Sequence, residues 1–205
     1  MQLILIRHGE TLWNKEGRVQ GISDIELSSV GIEQAKLLAL SLKDQPVKAI
    51  HTSPLKRALQ TAEIINELHR KEIHIHQDLM EMNQGDFEGV SFKELIDNKK
   101  EFLEKWITDP ASVKMPNGES LTELQERAWR AMEKIINKEE DALVVAHNFI
   151  IAVIICRIRS ISLNEFLSSC VGNASKTIVN FQKDGTFIEV FDDRSHLPKD
   201  IKSSV

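Results

Sequence analysis

Cysteine is scarce in this chain. The two present, Cys156 and Cys170, form no C-x-x-C pair, which excludes a disulfide framework. Both read as small core residues of a protein kept in a reducing cytosol. Positive charge is not in excess either. A net charge of −5 argues against the basic footprint of a nucleic-acid binder, so any anion must be captured by a local cluster. Long hydrophobic runs are also missing. The longest, residues 142–158, is interrupted by His147, Asn148 and Arg157 and is too short to span a bilayer. The first apolar run is four residues long and is followed by Arg7, so no secretory signal is read. The expectation is a cytoplasmic protein with no nucleic-acid and no membrane partner. Neither repeats nor low-complexity tracts are evident, and only residues 192–205 lose the apolar pattern. With 41% hydrophobic and 28% charged residues, 205 residues suffice for one sizeable core. A single domain over 1–205 is expected.

What is present is a strong periodic pattern. Residues 3–6, Leu-Ile-Leu-Ile, read as a buried strand that ends abruptly at Arg7-His8-Gly9-Glu10. Ser28 or Ser29 can cap a helix running to about residue 43. Val47, Ala49 and Ile50 make a second strand. Ser53-Pro54 reads as the start of another helix, serine as cap and proline in the first turn. Ile73 and Ile75 alternate with His74 and His76, suggesting a third strand with one wet face. Residues 91–106 look helical and charged, and 109–118 read as a loop with Pro110 and Pro116. Ser120 caps a long helix to about residue 137. Residues 142–146 form a fourth strand that ends at His147, followed by a buried helix and a short one capped by Ser162. Two alternating segments, 177–181 and 186–191, flank Lys183-Asp184-Gly185 as a β-hairpin. Strand and helix alternate, so the fold class is α/β with a mainly parallel sheet covered on both faces. Residues 91–118 are the expected insertion, a small helical lid.

The polar residues share one topological address. Arg7-His8 follows the first strand, residues 53–57 the second, Glu81 the third and His147 the fourth. In a parallel sheet, ligands bind at the carboxyl ends of the strands, where helix N-termini also point. Two arginines, two histidines and a carboxylate meeting there suit phosphoryl transfer through a phosphohistidine. A neutral imidazole attacks phosphorus. The arginines and a second, protonated histidine hold the equatorial oxygens, and a carboxyl group supplies a proton to the leaving oxygen. This logic requires no metal and no cofactor. The barrier is demanding: accelerations near ~10²¹ correspond to roughly 28 kcal/mol, more than one residue can supply.

Arg7-His8-Gly9-Glu10-Thr11, with Trp13-Asn14 and residues 17–21, resembles the signature of the histidine phosphatase superfamily, in its phosphoglycerate-mutase-like branch. Asp24, Leu27, Gly31, Gln34-Ala35, Ser53-Pro54-Leu55-Lys56-Arg57-Ala58, Gln60-Thr61-Ala62, Glu81, Gly85, Glu88-Gly89, Pro116, Gly118-Glu119-Ser120 and His147 continue the match in order. The resemblance implies a three-layer α/β/α sandwich. It also implies roles. His8 would be the phosphorylated nucleophile and Glu81 the proton donor. Arg7, Arg57 and His147 would complete the phosphate pocket, Asn14 would add a side-chain donor, and Gln20, Gly21 and the amide of Asn148 would line it. The implied partner is a small phosphorylated metabolite.

The chain departs from the pattern at two places. Asn148 stands where the family usually has glycine. Because asparagine tolerates unusual backbone angles, replacing it with glycine is expected to leave activity intact or raise it. Met82 and Gln84 stand where the mutases resembled carry an arginine, which holds the substrate carboxylate and second phosphate, and an aromatic, so a phosphatase is favoured over a bisphosphate-primed phosphoglycerate mutase. Gly85, Phe87 and Gly89 resemble both broad-specificity and α-ribazole phosphatases. Phe102, Leu103, Trp106 and Met115 in the lid suggest an apolar or mixed leaving group. A phospho-ligand-binding module without turnover is the alternative from another class. His51, His69, His74, His76 and His196 match no motif position and are expected to be structural or solvated. Arg127 is expected to make a surface ion pair on its helix. Monomer and homodimer both fit.

Overall fold

The computed structural model describes residues 1–201. Their elements in chain order are β1 (Gln2–Arg7), α1 (Leu12–Lys15), α2 (Ser29–Leu42), β2 (Ala49–Thr52), α3 (Lys56–His69), β3 (Glu72–Ile75), α4 (Phe92–Asn98), α5 (Lys100–Thr108), α6 (Leu121–Ile136), β4 (Ala142–Ala146), α7 (Asn148–Arg159), β5 (Lys176–Gln182) and β6 (Gly185–Asp193). Short 3₁₀ turns lie between them. The six strands form one sheet in the order β3-β2-β4-β1-β5-β6. The first four are mutually parallel, and β5 and β6 add an antiparallel hairpin beside β1.

Two apolar clusters sandwich the sheet, because successive strand side chains point to opposite faces. Leu3 and Leu5 of β1 join Ala142, Val144 and Ala146 of β4 under α6, α7 and the lid. Ile4 and Ile6 join Leu143, Val145 and Ile50 under α2 and α3. These make the three layers. Residues 3–6 are each at most 1% exposed, and burying such a side chain stabilises by about 1.5–3 kcal/mol. Both faces of β1 are apolar, so burial alone would tolerate a one-residue slip. Backbone pairing past the apolar run fixes the register instead: Arg7 N–H donates to Ser175 O and His8 N–H to Ala146 O. The side chains of Arg7 and His8 therefore emerge at a defined height above the sheet.

The loop after β1 is pressed against the start of α2. A Cβ on Gly9 would lie 2.4 Å from Gly31 O, and one on Gly31 only 1.9 Å from Glu10 O. Ser28 caps α2 by accepting from Gly31 N–H, and its own hydroxyl donates to Glu10 Oε1. Two glycines thus let the backbone of the signature loop rest directly on a helix N-terminus.

Several elements differ from expectation. Helix α3 begins at Lys56 with Leu55 as an N-cap that makes no side-chain bond; Ser53 is not its cap. The lid is two helices rather than one, because the backbone at Lys99 (φ −133°, ψ 36°) leaves the helical region. On β3, the edge strand, Ile73 packs against the second cluster as expected, but Ile75 is exposed and His74 stacks on His51 at 5.0 Å. The segment after β6 is not a loose tail: Leu197 is buried in the second cluster, and Ile201 O accepts from Gln34 Nε2. The rest of that expected tail, residues 202–205, lies outside the described residues. Among the described residues, no helix is long and apolar enough to cross a membrane.

Candidate active site

The four strand ends do converge. His8, directly after β1, is 3% exposed. Its Nδ1 lies 2.6 Å from Gly9 O. A carbonyl only accepts, so Nδ1 carries the proton and Nε2 keeps a lone pair. The ring of His147, the N-cap residue of α7, lies 5.1 Å from that of His8 at an interplanar angle of 59°. His147 Nε2 is 2.8 Å from Ser53 Oγ. Ser53 Oγ also accepts from Leu55 N–H at 3.2 Å, ahead of the first turn of α3, so this serine shapes the entry to the helix and meets the second histidine without capping α3.

Arg57, in the first turn of α3, is completely buried. Its Nη1 donates to Ser23 O and its Nη2 to Gly21 O, each at 2.7 Å. The turn that receives it is held by Glu88, whose carboxylate accepts from Ile22 N–H, Ser23 N–H, the Ser23 hydroxyl and Gln84 N–H. Gly21 has φ +56°, and a Cβ there would strike the Glu88 carboxylate. Arg7 Nη1 donates to Val171 O. Arg7 Nε, Arg57 Nε and His147 Nδ1 are buried without partners. Unpaired buried nitrogens are costly, and an oxyanion between these residues would relieve that cost.

Burial pushes the His8 imidazole well below its ordinary pKa, and the Arg57 and Arg7 guanidiniums push it further. His147 is lowered in the same way, by burial first and then by Arg57, His8 and Arg7. Burial lowers Arg57 to about 10, which leaves it charged at neutral pH. In the free site both rings are therefore neutral. The expectation of a protonated second histidine concerns the phosphate-bound state, whereas burial and the neighbouring cations favour a neutral His147 in the free site.

Glu81 follows a 3₁₀ turn, Gln77–Leu79, that continues from β3. Its Oε1 accepts from Met82 N–H at 2.8 Å and its Oε2 from Phe149 N–H at 3.1 Å. The carboxyl group is thus anchored to the first turn of α7. Asn14, in α1, has its Oδ1 engaged by Thr11 N–H and Asn173 Nδ2, leaving its amide nitrogen as the donor. Gln20 Oε1 accepts from the Thr11 hydroxyl.

Asn148 differs from expectation. It is the first residue of α7 and has no left-handed backbone. Its side chain matters instead: Oδ1 accepts from Val171 N–H at 2.8 Å, and the carbonyl of that same residue receives Arg7. This link argues against the expectation that glycine would serve equally well at 148.

Arg7, His8, Asn14, Gln20, Gly21, Arg57, Glu81 and Asn148 line one cavity of about 270 Å³; the fully buried His147 ring packs beside His8 and is not among the lining residues. Asn173 lines it as well, with its Nδ2 directed at Asn14 Oδ1 and His8 O. Sequence reading missed it because residues 170–175 carry no periodic pattern. Above this polar floor the walls are apolar. Phe102, Leu103, Trp106 and Met115 come from the lid segment as expected, joined by Phe87, Phe92, Leu95 and Phe149. Edge-on ring contacts, Phe87 with Phe102 at 4.8 Å and Trp106 with Phe166 at 5.2 Å, set these walls. Arg18 lies at the mouth, but its guanidinium is bound to Glu16 and Gly89 O. Of the two residues replacing the mutase pattern, Met82 is packed in the core and Gln84 faces the cavity.

Known proteins support the same grouping. The chain is 33% identical to the metal-independent phosphoserine phosphatase of Arabidopsis thaliana over 96% of this chain and 83% of that one. The solved structure of Bacillus stearothermophilus YhfR superposes with a TM-score of 0.89 at 30% identity, covering 95% of this chain and 98% of the other. The alpha-ribazole phosphatase from Shigella flexneri gives 0.85 at 26%, covering 95% and 97%. Curated relatives carry both phosphatase and phosphoglycerate mutase names. The family model described as histidine phosphatase superfamily (branch 1) matches residues 3–194, and the chain belongs to that superfamily.

Proposed function

We propose that this protein is a metal-independent phosphomonoester hydrolase that works through a phosphohistidine at His8, with Glu81 as the proton donor, on esters whose alcohol is apolar. The observation that carries the reading is the buried His8 ring, its Nδ1 held at the Gly9 carbonyl and its pKa pushed down by burial and then by the Arg57 and Arg7 guanidiniums. The Nε2 lone pair attacks phosphorus. The P–O bond to the alcohol breaks, its electron pair stays on oxygen, and that oxygen takes the proton of the Glu81 carboxyl. A water oxygen then attacks phosphorus, its proton passes to the Glu81 carboxylate, the P–N bond breaks, and inorganic phosphate leaves with His8 restored. Arg7, Arg57 and Asn14 supply donors for the equatorial oxygens as charge spreads over them. The arriving dianion acts on His147 in the opposite sense to the arginines and favours its protonated form.

The leaving group is read from the walls. The cavity above the phosphate floor is aromatic and aliphatic, and Arg18, the cation at its mouth, is already paired. Such a chamber leaves a second phosphate or a carboxylate unpartnered, at a desolvation cost of several kcal/mol. This disfavours the mutase and argues against phosphoserine, the substrate named for relatives. Hydrolysis of 1-naphthyl phosphate in EDTA should exceed that of phosphoserine, and His8→Ala should abolish both the hydrolysis and an acid-labile phosphoenzyme. Full turnover by His8→Ala would refute the mechanism, and a preference for phosphoserine would refute the substrate class.

A further inference from the structure

Arg127 does not make the surface ion pair expected of it. Its side chain, on α6, is 16% exposed and faces Glu119, at 14%. A guanidinium has five N–H donors, and here each has an acceptor. Nε donates to Glu119 Oε1 at 2.7 Å and Nη2 to Glu119 Oε2 at 2.9 Å. The other three reach backbone carbonyls: Nη1 donates to Asp78 O at 3.1 Å and Met80 O at 2.6 Å, and Nη2 to Glu81 O at 2.8 Å. Glu119 completes the brace, its Oε2 accepting from Asn83 N–H at 3.0 Å and its own N–H donating to Asn83 O.

Between Leu79 and Gly85 the chain has neither helix nor strand to fix its course. That stretch contains Glu81. Its position is set from behind by one planar fork, on the side away from the cavity. We infer that Arg127, oriented by Glu119, is a positioning residue that holds the Glu81 carboxyl at the leaving-group oxygen. The inference rests on the reading of Glu81 as proton donor. Lysine cannot replace the fork, since an ammonium has three donors and no plane. Supports of this kind affect chemistry through the group they orient.

The test separates the two claims. Values of kcat/KM, which report steps through departure of the alcohol, are compared for 4-nitrophenyl phosphate and benzyl phosphate. The nitrophenolate leaves without a proton; the benzyl alkoxide does not. Glu81→Gln should cut benzyl phosphate turnover by roughly a hundredfold or more and nitrophenyl phosphate far less. Arg127→Met should repeat that selectivity at roughly ten- to a hundredfold, and should add no further loss on benzyl phosphate in the Glu81→Gln background. Arg127→Lys should recover little of it. If Arg127→Met does not fold, Glu119→Gln, which keeps one acceptor for the fork, should show the same selectivity more weakly. Equal losses on both substrates in the Arg127 and Glu119 variants, or no loss on either, with a selective Glu81→Gln, would overturn the inference and leave the proton donor standing. An unselective Glu81→Gln would overturn both.

Discussion

Replacing Asn148 with glycine tests how Arg7 is aimed. Asn148 Oδ1 is the acceptor of Val171 N–H, and Val171 O is the acceptor of Arg7 Nη1. Val171 is 1% exposed, so removing the amide strands a buried N–H, which costs about 1–3 kcal/mol. Glycine in the first turn of α7 adds up to about 1 kcal/mol through backbone freedom. Asn148→Gly should therefore lose roughly 2–3 kcal/mol in urea unfolding. If about half of that reappears as poorer placement of the guanidinium, kcat/KM on an aryl phosphate falls about tenfold. Asn148→Asp separates the two effects. It keeps an oxygen for Val171 N–H, so stability holds, but it puts a carboxylate on the wall of an anion site. At about 6 Å and an effective dielectric near 20, each pair of like unit charges costs about 3 kcal/mol, so activity should collapse. A glycine variant as stable and as active as the parent would refute the link between Asn148 and Arg7.

Two further outcomes follow from the buried rings. In NMR titrations of the free protein, the His8 and His147 imidazoles should titrate well below the ordinary imidazole value, since burial and both arginines lower them; a midpoint near 6.5 for either would contradict the electrostatics. His51, lowered to about 3 by burial and then by His76, Lys138 and His74, binds fewer protons folded than unfolded across the window from about 6.5 to 3. Its contribution to stability is full above that window and lost as pH falls through it. Between pH 7 and pH 5 this amounts to about 2 kcal/mol, so His51→Asn should flatten the pH dependence of the urea midpoint by that amount, and an unchanged slope would refute it.

The parts of the site legible in the sequence were those tied to regular elements. The apolar run before Arg7-His8, the strand before His147 and the serine caps of α2 and α6 all declared themselves through periodicity and local chemistry. What escaped depends on side chains meeting across long distances. Ser53 has the look of a helix cap, but α3 starts only at Lys56, and the serine hydroxyl meets His147, 94 positions away. Arg127 sits on a strongly amphipathic helix, where an arginine usually faces water; nothing local signals three carbonyls waiting beneath it. Asn173 lies in an irregular stretch whose position is defined only by its neighbours in space.

The strand order carries a consequence for how the molecule is made. β1 leaves the ribosome first, yet its neighbours in the sheet are β4 and β5. Its parallel partner appears about 140 residues later, roughly 7 to 30 s of synthesis at 5–20 residues per second. Until then Leu-Ile-Leu-Ile has no parallel partner to join, and His8 beside it lacks the ring of His147. During synthesis this apolar segment therefore waits exposed, and the cavity closes only when β4, more than a hundred residues downstream, slides in alongside it.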